Sequence, residues 1–325
     1  MTERLQLCVS AYRAEARDIV SMELRDPLGR CLPAFTPGSH LEICLPSTQE
    51  RESALIRHYS ICNSSSETDR YVVAVGRAEK SRGGSSTIHD VVRVGTLLSV
   101  SAPRNNFELV PDADHYRFIA GGIGITPILC MVRWCEARGK SWSLLYCARA
   151  RVRAAFYEEL SAYGSRVRFH FDDEAGGSLA NVDAELAAHR AGEHVYCCGP
   201  GPLMSAVERV ATQWPTSRAH FEWFAGRPPG DVLPGNRDAF VILLRRSGRR
   251  IEVAAGKTIL ESLEEQGICV PFSCREGVCR TCETTLCAGE ADHRDYVLSD
   301  AERAAQRSIM ICVSRARTAV LELDL

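Results

Sequence analysis

Four cysteines constrain the fold of this chain more than any other feature of its 325 residues. Cys274, Cys279 and Cys282 have the spacing C-x4-C-x2-C, and Cys312 lies further along in the segment IMICVSRA. This is the plant-type [2Fe–2S] spacing, in which thiolates hold two irons. Gly277 allows the loop to turn tightly, so that backbone N–H groups reach the bridging sulfides. The spacing therefore predicts a two-iron cluster, with the fourth thiolate on a packed strand.

The alternatives for these cysteines are a zinc site and a set of disulfides. Zinc sites usually combine two CxxC or Cys/His pairs, and a lone C-x4-C-x2-C fits them poorly. The first residues are too charged for a signal-peptide core, so we expect a reducing, cytoplasmic location in which disulfides are rare. The other cysteines among the 15, apart from Cys198, are interpreted as small buried apolar residues.

Charge and hydropathy exclude two classes of partner at this stage. Lys and Arg number 39 against 41 Asp and Glu, so the basic excess of a nucleic-acid binder is missing. No apolar run approaches the roughly 20 residues that span a bilayer. We therefore expect neither a nucleic-acid nor a membrane partner, and the length suggests two or three domains.

The patterning divides the chain into four segments. Residues 1–110 contain short β-branched runs broken by Gly, Pro and Ser, which is typical of a small β-barrel. Residues 111–226 alternate strand and helix patterns, which predicts a parallel α/β sheet. Residues 227–236 are rich in Pro and Gly and indicate a linker. Residues 237–325 begin with a hairpin and a short amphipathic helix and contain the cysteine loop.

Two glycine turns follow strands of the α/β segment. The turn at 121–127 opens a helix, whose N-terminus attracts a pyrophosphate, and Pro127 suits the first helical position. The turn at 197–202 lies at the carboxyl end of another strand, where open α/β sheets bind ligands. Either turn alone is also explained by the steric needs of a strand-to-helix connection. Together they predict a dinucleotide site.

A third signal lies in the barrel segment. Arg57 offers a planar fork of donors for a phosphate, and Tyr59 offers a flat face for a ring. The stretch from Gly83 to Ser86 offers backbone N–H groups and hydroxyls for a phosphate. The residues alone leave a flexible loop as the alternative for this stretch.

Taken in order, these motifs resemble the phthalate dioxygenase reductase family of the ferredoxin-NADP reductase superfamily. The segments that carry the resemblance are RHYSICN (57–63), RGGSSTIHD (82–90), AGGIGITP (120–127), HVYCCGP (194–200), HFEWF (220–224), the cysteine loop and GEADHRDYVLSDAE (289–302). The resemblance implies a multidomain fold: an antiparallel β-barrel flavin domain, a parallel α/β nicotinamide domain and a β-grasp plant-type ferredoxin domain.

The resemblance also implies roles for individual residues, with Ser60, Cys198 and Glu222 nearest the reacting atoms. Tyr59 packs on the flavin ring and Ser60 lies near its N5. The implied cofactor-binding residues are Arg57, His58, Tyr59, Ser60, Gly83, Gly84, Ser85 and Ser86 for the flavin, Gly122, Gly124, Thr126, Cys198, Gly199 and Pro200 for the nicotinamide nucleotide, and Glu222 and Phe224 for closure of the flavin pocket. His58 and His89 are interpreted as structural or flavin-adjacent rather than as proton donors. Residues 77–90 contain no aromatic side chain to stack an adenine, so FMN is preferred to FAD.

The implied function is electron transfer from NADH through FMN and a [2Fe–2S] cluster to a Rieske-type aromatic oxygenase or demethylase, by a monomeric reductase. A cytochrome P450 or another one-electron acceptor is the alternative partner. A redox sensor that uses only the cluster is less compatible, because both flavin motifs are intact.

Two segments depart from the family pattern. The arginines at 149, 151 and 153 could hold the 2′-phosphate of NADPH or form a solvated basic face, so NADPH is an alternative donor. Arg280 stands where close relatives have a small residue, and we expect its charge to raise the cluster potential and alter the docking face. Residues 237–325 carry 13 Lys and Arg against 14 Asp and Glu, which does not support a strongly acidic docking face.

Overall fold

The computed structural model describes residues 4–46, 55–79, 81, 83–188, 190–215, 218–226 and 238–325. The chain divides into two compact units, Met1–Glu222 and Trp223–Leu325. The predicted linker at 227–236 lies outside the described residues. Within the described ranges no helix combines the length and apolar character needed to cross a membrane.

The first sheet of the N-terminal unit is an antiparallel barrel, as predicted. Its strands are β1 (Arg4–Ala16), β2 (Ile19–Arg25), β3 (Ser39–Leu45), β4 (Leu55–Ser60), β5 (Tyr71–Gly76), β6 (Leu97–Ser101) and β7 (Arg104–Asn105), and α1 (Gly84–Asp90) follows β5. The order is β4-β3-β6-β1-β2-β5, with β7 paired to β3. A bridge between Ile61 and Val73 joins the two ends of this order. Alternate residues of β3, Leu41 and Ile43, are fully buried in the barrel core.

The second sheet has five parallel strands in the order β10-β9-β8-β11-β12. The strands are β8 (His115–Gly121), β9 (Trp142–Ala148), β10 (Val167–Phe171), β11 (Glu193–Cys198) and β12 (Ala219–Glu222), and the helices are α2 (Ile125–Ala137), α3 (Tyr157–Ser161), α4 (Val182–Leu186) and α5 (Gly201–Ala211). Strands β9 and β10 follow on one side of β8. The chain then crosses to the other side of β8, where β11 and β12 lie. The carboxyl ends of β8 and β11 therefore form the switch point at which such sheets bind ligands.

The two sheets of this unit share buried side chains. Ile19, Cys62 and Phe107 come from the barrel segment, yet they belong to the core of the parallel sheet. Cys130 comes from α2, yet it belongs to the core of the barrel. Because each core takes residues from the other segment, the barrel and the parallel sheet form one compact unit.

The C-terminal unit is a β-grasp domain, as predicted. Its elements are β13 (Phe240–Leu244), β14 (Arg250–Val253), α6 (Ile259–Glu265), β15 (Glu283–Ala288), β16 (Ala291–Asp292), α7 (Asp300–Ala305), β17 (Ser308–Met310), β18 (Arg315–Ala316) and β19 (Val320–Leu323). The main sheet has the order β14-β13-β19-β15-β17, in which β13 and β19 are parallel. A capping box between Thr258 and Glu261 starts α6.

Two local predictions were wrong. Cys312 lies in a turn that follows β17, so the segment IMICVSRA is not one continuous strand. Pro127 is the third residue of α2 rather than the first, although it is still in the first turn, where its missing N–H breaks no helical bond.

Candidate active site and metal centre

The two predicted glycine turns lie against each other at the carboxyl edge of the parallel sheet. Cys198 is paired with Ala120 of β8 on one side and with Glu222 of β12 on the other. A Cβ on Gly124 would lie 2.2 Å from the carbonyl oxygen of Cys198, and a Cβ on Gly199 would lie 3.0 Å from the backbone nitrogen of Gly121. Glycine is therefore required where the backbones of the two turns approach.

Gly122 is required for a different reason. Its φ is +54°, in the left-handed region, and a Cβ on it would meet no atom within 4 Å. The hydroxyl of Tyr146, on β9, donates to the carbonyl oxygen of Gly122 at 3.2 Å. Thr126 is almost fully buried, and its hydroxyl donates to the carbonyl oxygen of Ile123 at 3.0 Å. The turn is thus held by its own hydrogen bonds, with open space beside Gly122.

Ser60, Cys198 and Glu222 lie close together at this edge. The hydroxyl of Ser60 donates to Oε2 of Glu222 at 3.4 Å, which connects the barrel to β12. Glu222 keeps part of its surface exposed, but the protein packed around its carboxyl raises the pKa to about 8. Cys198 is fully buried, and burial followed by the nearby Glu222 raises its pKa well above the ordinary thiol value. Near neutral pH the site therefore holds a neutral thiol and a largely protonated carboxyl.

The Arg57 motif and the Gly83–Ser86 stretch also lie together. A Cβ on Gly84 would lie 2.6 Å from Nε of Arg57, so the arginine side chain covers the first residue of α1. The hydroxyl of Ser85 donates to that of Ser81 at 3.1 Å, and Ser81 Oγ lies 3.3 Å from Ser86 Oγ. Residues 84–90 form a short helix, so the stretch is regular from Gly84 onward. A guanidinium beside grouped hydroxyls is a donor set that fits a phosphate.

The remaining predicted flavin residues are less informative. Tyr59 is partly buried and packs against the barrel core. His58 Nε2 lies 3.9 Å from Oε1 of Glu42, which agrees with a structural interpretation. Phe224 belongs to the C-terminal unit, where it is exposed, and its role at the flavin pocket stays a prediction.

Sequence reasoning missed His40, which lies on β3 of the barrel. His40 is directly opposite Ser60 in the β3–β4 register. It is buried, and neither ring nitrogen has a hydrogen-bond partner among the described residues. Burial lowers its pKa to about 3. Only the strand register brings His40 beside Ser60, and no motif in the sequence indicates this pairing.

The four predicted cluster cysteines lie together in the C-terminal unit. The thiols of Cys279 and Cys312 interact with that of Cys274 and lower its pKa. Cys312 likewise lowers the pKa of Cys282. The backbone N–H of Glu276 donates to the sulfur of Cys274 at 3.3 Å. Closely spaced sulfurs that also accept backbone N–H groups fit a [2Fe–2S] cluster.

The loop geometry agrees with this donor set. Gly277 has a φ of +73°, and a Cβ on it would lie 2.7 Å from Cγ2 of Val313, so the predicted tight turn is present. Among the described residues no three Cys, His, Asp or Glu side chains are arranged to hold a single metal ion. A two-iron cluster needs only two thiolates at each iron, so this finding is compatible with the cluster.

Arg280 is hydrogen-bonded to an acidic partner. Its Nη2 donates to the carbonyl oxygen of Val297 at 2.7 Å and to both carboxylate oxygens of Glu302 at 2.8 Å. Its φ is +58°, an unusual value for a residue with a side chain. Arg280 therefore ties the cysteine loop to α7, and Glu302 compensates the charge that we expected to act on the cluster.

The arginines after β9 are paired as well. Arg149 lies 3.2 Å from Glu79, Arg151 lies 3.1 Å from Glu174, and Arg153 lies 3.0 Å from Asp18. Glu79 and Asp18 belong to the barrel segment, so two of these pairs connect the barrel to the parallel sheet. Each of these arginines therefore already has an acidic partner.

Comparison with known proteins identifies two families of domain. Residues 242–317 match the 2Fe-2S iron-sulfur cluster binding domain, and residues 118–209 match the oxidoreductase NAD-binding domain. These matches cover the cysteine loop with Cys312 and the two glycine turns.

Full-length relatives agree with these matches. The chain is 44% identical over 321 residues to phenoxybenzoate dioxygenase subunit beta of Ectopseudomonas oleovorans, covering 99% of this chain and 97% of the relative. It is 40% identical over 324 residues to phthalate dioxygenase reductase of Burkholderia cepacia, again covering 99% and 97%.

Two solved structures have the same fold over the whole chain. A phthalate dioxygenase reductase, described as modular for electron transfer from pyridine nucleotides to [2Fe-2S], is 40% identical with a TM-score of 0.71, covering 99% of this chain and 98% of that one. An intact type IV self-sufficient cytochrome P450 monooxygenase is 37% identical with a TM-score of 0.89, covering 99% of this chain. This chain spans only 41% of the length of that fusion protein.

Proposed function

The chain belongs to the phthalate dioxygenase reductase family, and from this premise we propose that it is the reductase component of a Rieske-type aromatic oxygenase or demethylase system. Its cofactors are NADH, FMN and a [2Fe–2S] cluster. When bound, the flavin supplies the conversion of a two-electron hydride donor into single electrons for the cluster. The observation that carries the proposal is the meeting of Ser60, Cys198 and Glu222 where the barrel reaches the nucleotide edge.

The residues of this edge have distinct roles. Ser60 and Cys198 would border the reacting ends of the flavin and the nicotinamide. Glu222 would hold a proton there near neutral pH, because its pKa is raised to about 8. Gly122 and Gly124 would admit the nucleotide backbone, and Arg57 with the nearby hydroxyls would bind the FMN phosphate.

The cluster ligands are proposed to act as two pairs. Cys274 interacts with Cys279, Cys282 interacts with Cys312, and a further interaction between Cys274 and Cys312 joins the two pairs. Each pair would hold one iron, which satisfies the two-thiolate requirement of the cluster.

The test is an anaerobic titration of the purified holoprotein. Extracted flavin, iron and acid-labile sulfide are quantified, NADH and NADPH are compared as donors, and reduction of a purified Rieske oxygenase is followed by absorbance. We expect FMN, two irons per chain and reduction of the oxygenase at the expense of NADH. Reduction of the flavin without any reduction of the cluster would contradict the proposal.

A cytochrome P450 is the second candidate acceptor, because the fold match to the self-sufficient P450 has a TM-score of 0.89. A P450 and a Rieske oxygenase mixed separately with the reduced chain would separate the two candidates, since only the true partner should turn over with tight coupling to NADH.

We further propose a monomer located in the cytoplasm, which sedimentation and cell fractionation would test.

A further inference from the structure

Helix α2 connects the nucleotide turn to the barrel. It begins at Ile125, immediately after the turn, and at 1.5 Å per residue Arg133 lies about 12 Å along its axis. Nη1 of Arg133 donates to the carbonyl oxygen of Cys62 at 2.6 Å. Cys62 is two residues beyond Ser60, the last residue of β4, so this bond connects the nucleotide helix to the segment that directly follows this strand.

The carbonyl that Arg133 binds belongs to a fixed part of the barrel. The backbone N–H of Cys62 donates to Val72 at 2.8 Å, and the neighbouring Ile61 forms the bridge to Val73. The backbone N–H of Ile61 also donates to Ser39 at 2.8 Å. A shift at the Cys62 carbonyl would therefore be transmitted to Ser60 rather than absorbed by a loop.

The direction of the Arg133 side chain is set by Glu159 of α3. Nε and Nη2 of Arg133 donate to the two carboxylate oxygens at 2.8 and 2.6 Å, which is the two-bond geometry that orients a guanidinium. The exposed fractions of the two side chains are only 25% and 35%. Cys130, less than one turn earlier on α2, is fully buried in the barrel core. Arg133 is thus held on a helix face that packs against the barrel.

We propose that Arg133 is a positioning residue for hydride transfer, which fixes the distance between the nucleotide turn and the Ser60 strand. The proposal rests on the proposed function, because it concerns how closely nicotinamide and flavin are held. A misplacement of about 1 Å is enough to cost about 100-fold in rate. Loss of this contact should therefore reduce the rate of hydride transfer more than the affinity for NADH.

The experiment compares Arg133→Met with the wild-type holoprotein by anaerobic stopped flow. We expect the limiting rate of flavin reduction at saturating NADH to fall about 10- to 100-fold, with the apparent Kd for NADH and the FMN content changed less than about threefold. The control is Arg209→Met, which removes a similar two-bond pair with Asp183 on the exposed surface. Its rate should stay within about twofold of wild type.

A second variant tests whether the Cys62 bond is the important contact. Glu159→Gln weakens the orienting pair but leaves the Cys62 bond, so flavin reduction should slow by less than in Arg133→Met. Amide hydrogen exchange on the flavin-free protein adds a readout independent of turnover, and exchange at residues 60–63 should quicken in Arg133→Met.

Three results would overturn the proposal. These are an unchanged limiting rate in Arg133→Met, an equal fall in rate in Glu159→Gln, or a parallel loss of FMN and NADH affinity. If Arg133→Met does not fold, Glu159→Gln decides alone, and an unchanged rate in it counts against the proposal. Failure of the wild type to reduce its flavin with NADH would instead contradict the proposed function.

Discussion

The environment of the Glu222 carboxyl shifts its pKa far from the ordinary value. Its carboxyl is surrounded by protein and bonded to Ser60, and its pKa is raised from 4.5 to about 8. The folded chain therefore keeps a proton that the unfolded chain releases near pH 4.5. Between these two values the unfolded state binds fewer protons, so the free energy of unfolding falls as the pH rises.

This shift gives a prediction for Glu222→Gln, which cannot ionise. The flavin-free variant should gain stability relative to wild type between about pH 5 and about pH 9, because it lacks the cost of ionising a buried carboxyl. Thermal unfolding midpoints of both proteins at the two pH values provide the measurement. A difference between the proteins that does not vary with pH would show that the Glu222 carboxyl has an ordinary pKa.

The cluster assignment is also testable at a single residue. Cys282→Ser should abolish the cluster absorbance and the acid-labile sulfide, because the distant ligand Cys312 loses its paired thiol. The rate of flavin reduction by NADH should stay within about twofold, since Ser60, Cys198 and Glu222 belong to the other compact unit. Cys269→Ser, at an exposed cysteine outside the four, serves as the control and should keep the cluster. A normal cluster spectrum in Cys282→Ser would remove Cys282 from the ligand set.

At the scale of elements, the two glycines of the nucleotide turn should respond differently to alanine. Gly124→Ala places a Cβ against the backbone of Cys198, which cannot move aside, and should cost about 3 kcal/mol. Gly122→Ala meets open space and should cost only the left-handed strain of about 1 to 2 kcal/mol. Denaturant unfolding of the two variants would test this order, and a more damaging Gly122→Ala would contradict it.

The cysteine loop should depend on its connection to α7. Arg280→Ala removes the bonds to Val297 and Glu302 and leaves a left-handed residue without them. We expect the cluster to be lost to a chelator about 5- to 30-fold faster, which corresponds to a loss of one or two kcal/mol. Arg245→Ala removes an exposed pair with Glu322 in the same unit and should have little effect. Equal lifetimes for the two variants would show that Arg280 does not hold the loop.

Elements defined by a short repeat or spacing could be predicted, and those defined by long-range pairing could not. The cysteine spacing and the two strand-to-helix glycine turns depend on neighbouring residues, and the structure brings both sets together as expected. The position of Cys312 in a turn could not be predicted, because apolar residues on both sides of it resemble a strand. The bond from Arg133 to Cys62 and the pairing of His40 with Ser60 each join residues far apart in the chain, and no local pattern specifies them.

At the scale of the whole molecule, the charge balance limits how the chain attracts its partner. The net charge is −2, and residues 237–325 carry almost equal numbers of acidic and basic side chains. Electron transfer to the oxygenase should therefore vary less than about threefold between about 0.05 and about 0.5 M salt, because little long-range attraction is available to screen. Stopped-flow rates of oxygenase reduction across this range would test the prediction. A steep fall with salt would reveal a concentrated charged patch in the docking face.

The core shared by the barrel and the parallel sheet determines where such a chain can be cut and recombined. A break near residue 110 would separate Ile19, Cys62 and Phe107 from the side chains around them, and it would remove Cys130 from the barrel core. Either fragment alone would therefore expose apolar side chains that are buried in the intact chain. A break after Glu222 leaves the iron–sulfur portion with a complete interior of its own. In chimeric reductases built by exchanging domains, the flavin and nucleotide portions should therefore be taken from the same parent. The iron–sulfur portion can be replaced independently.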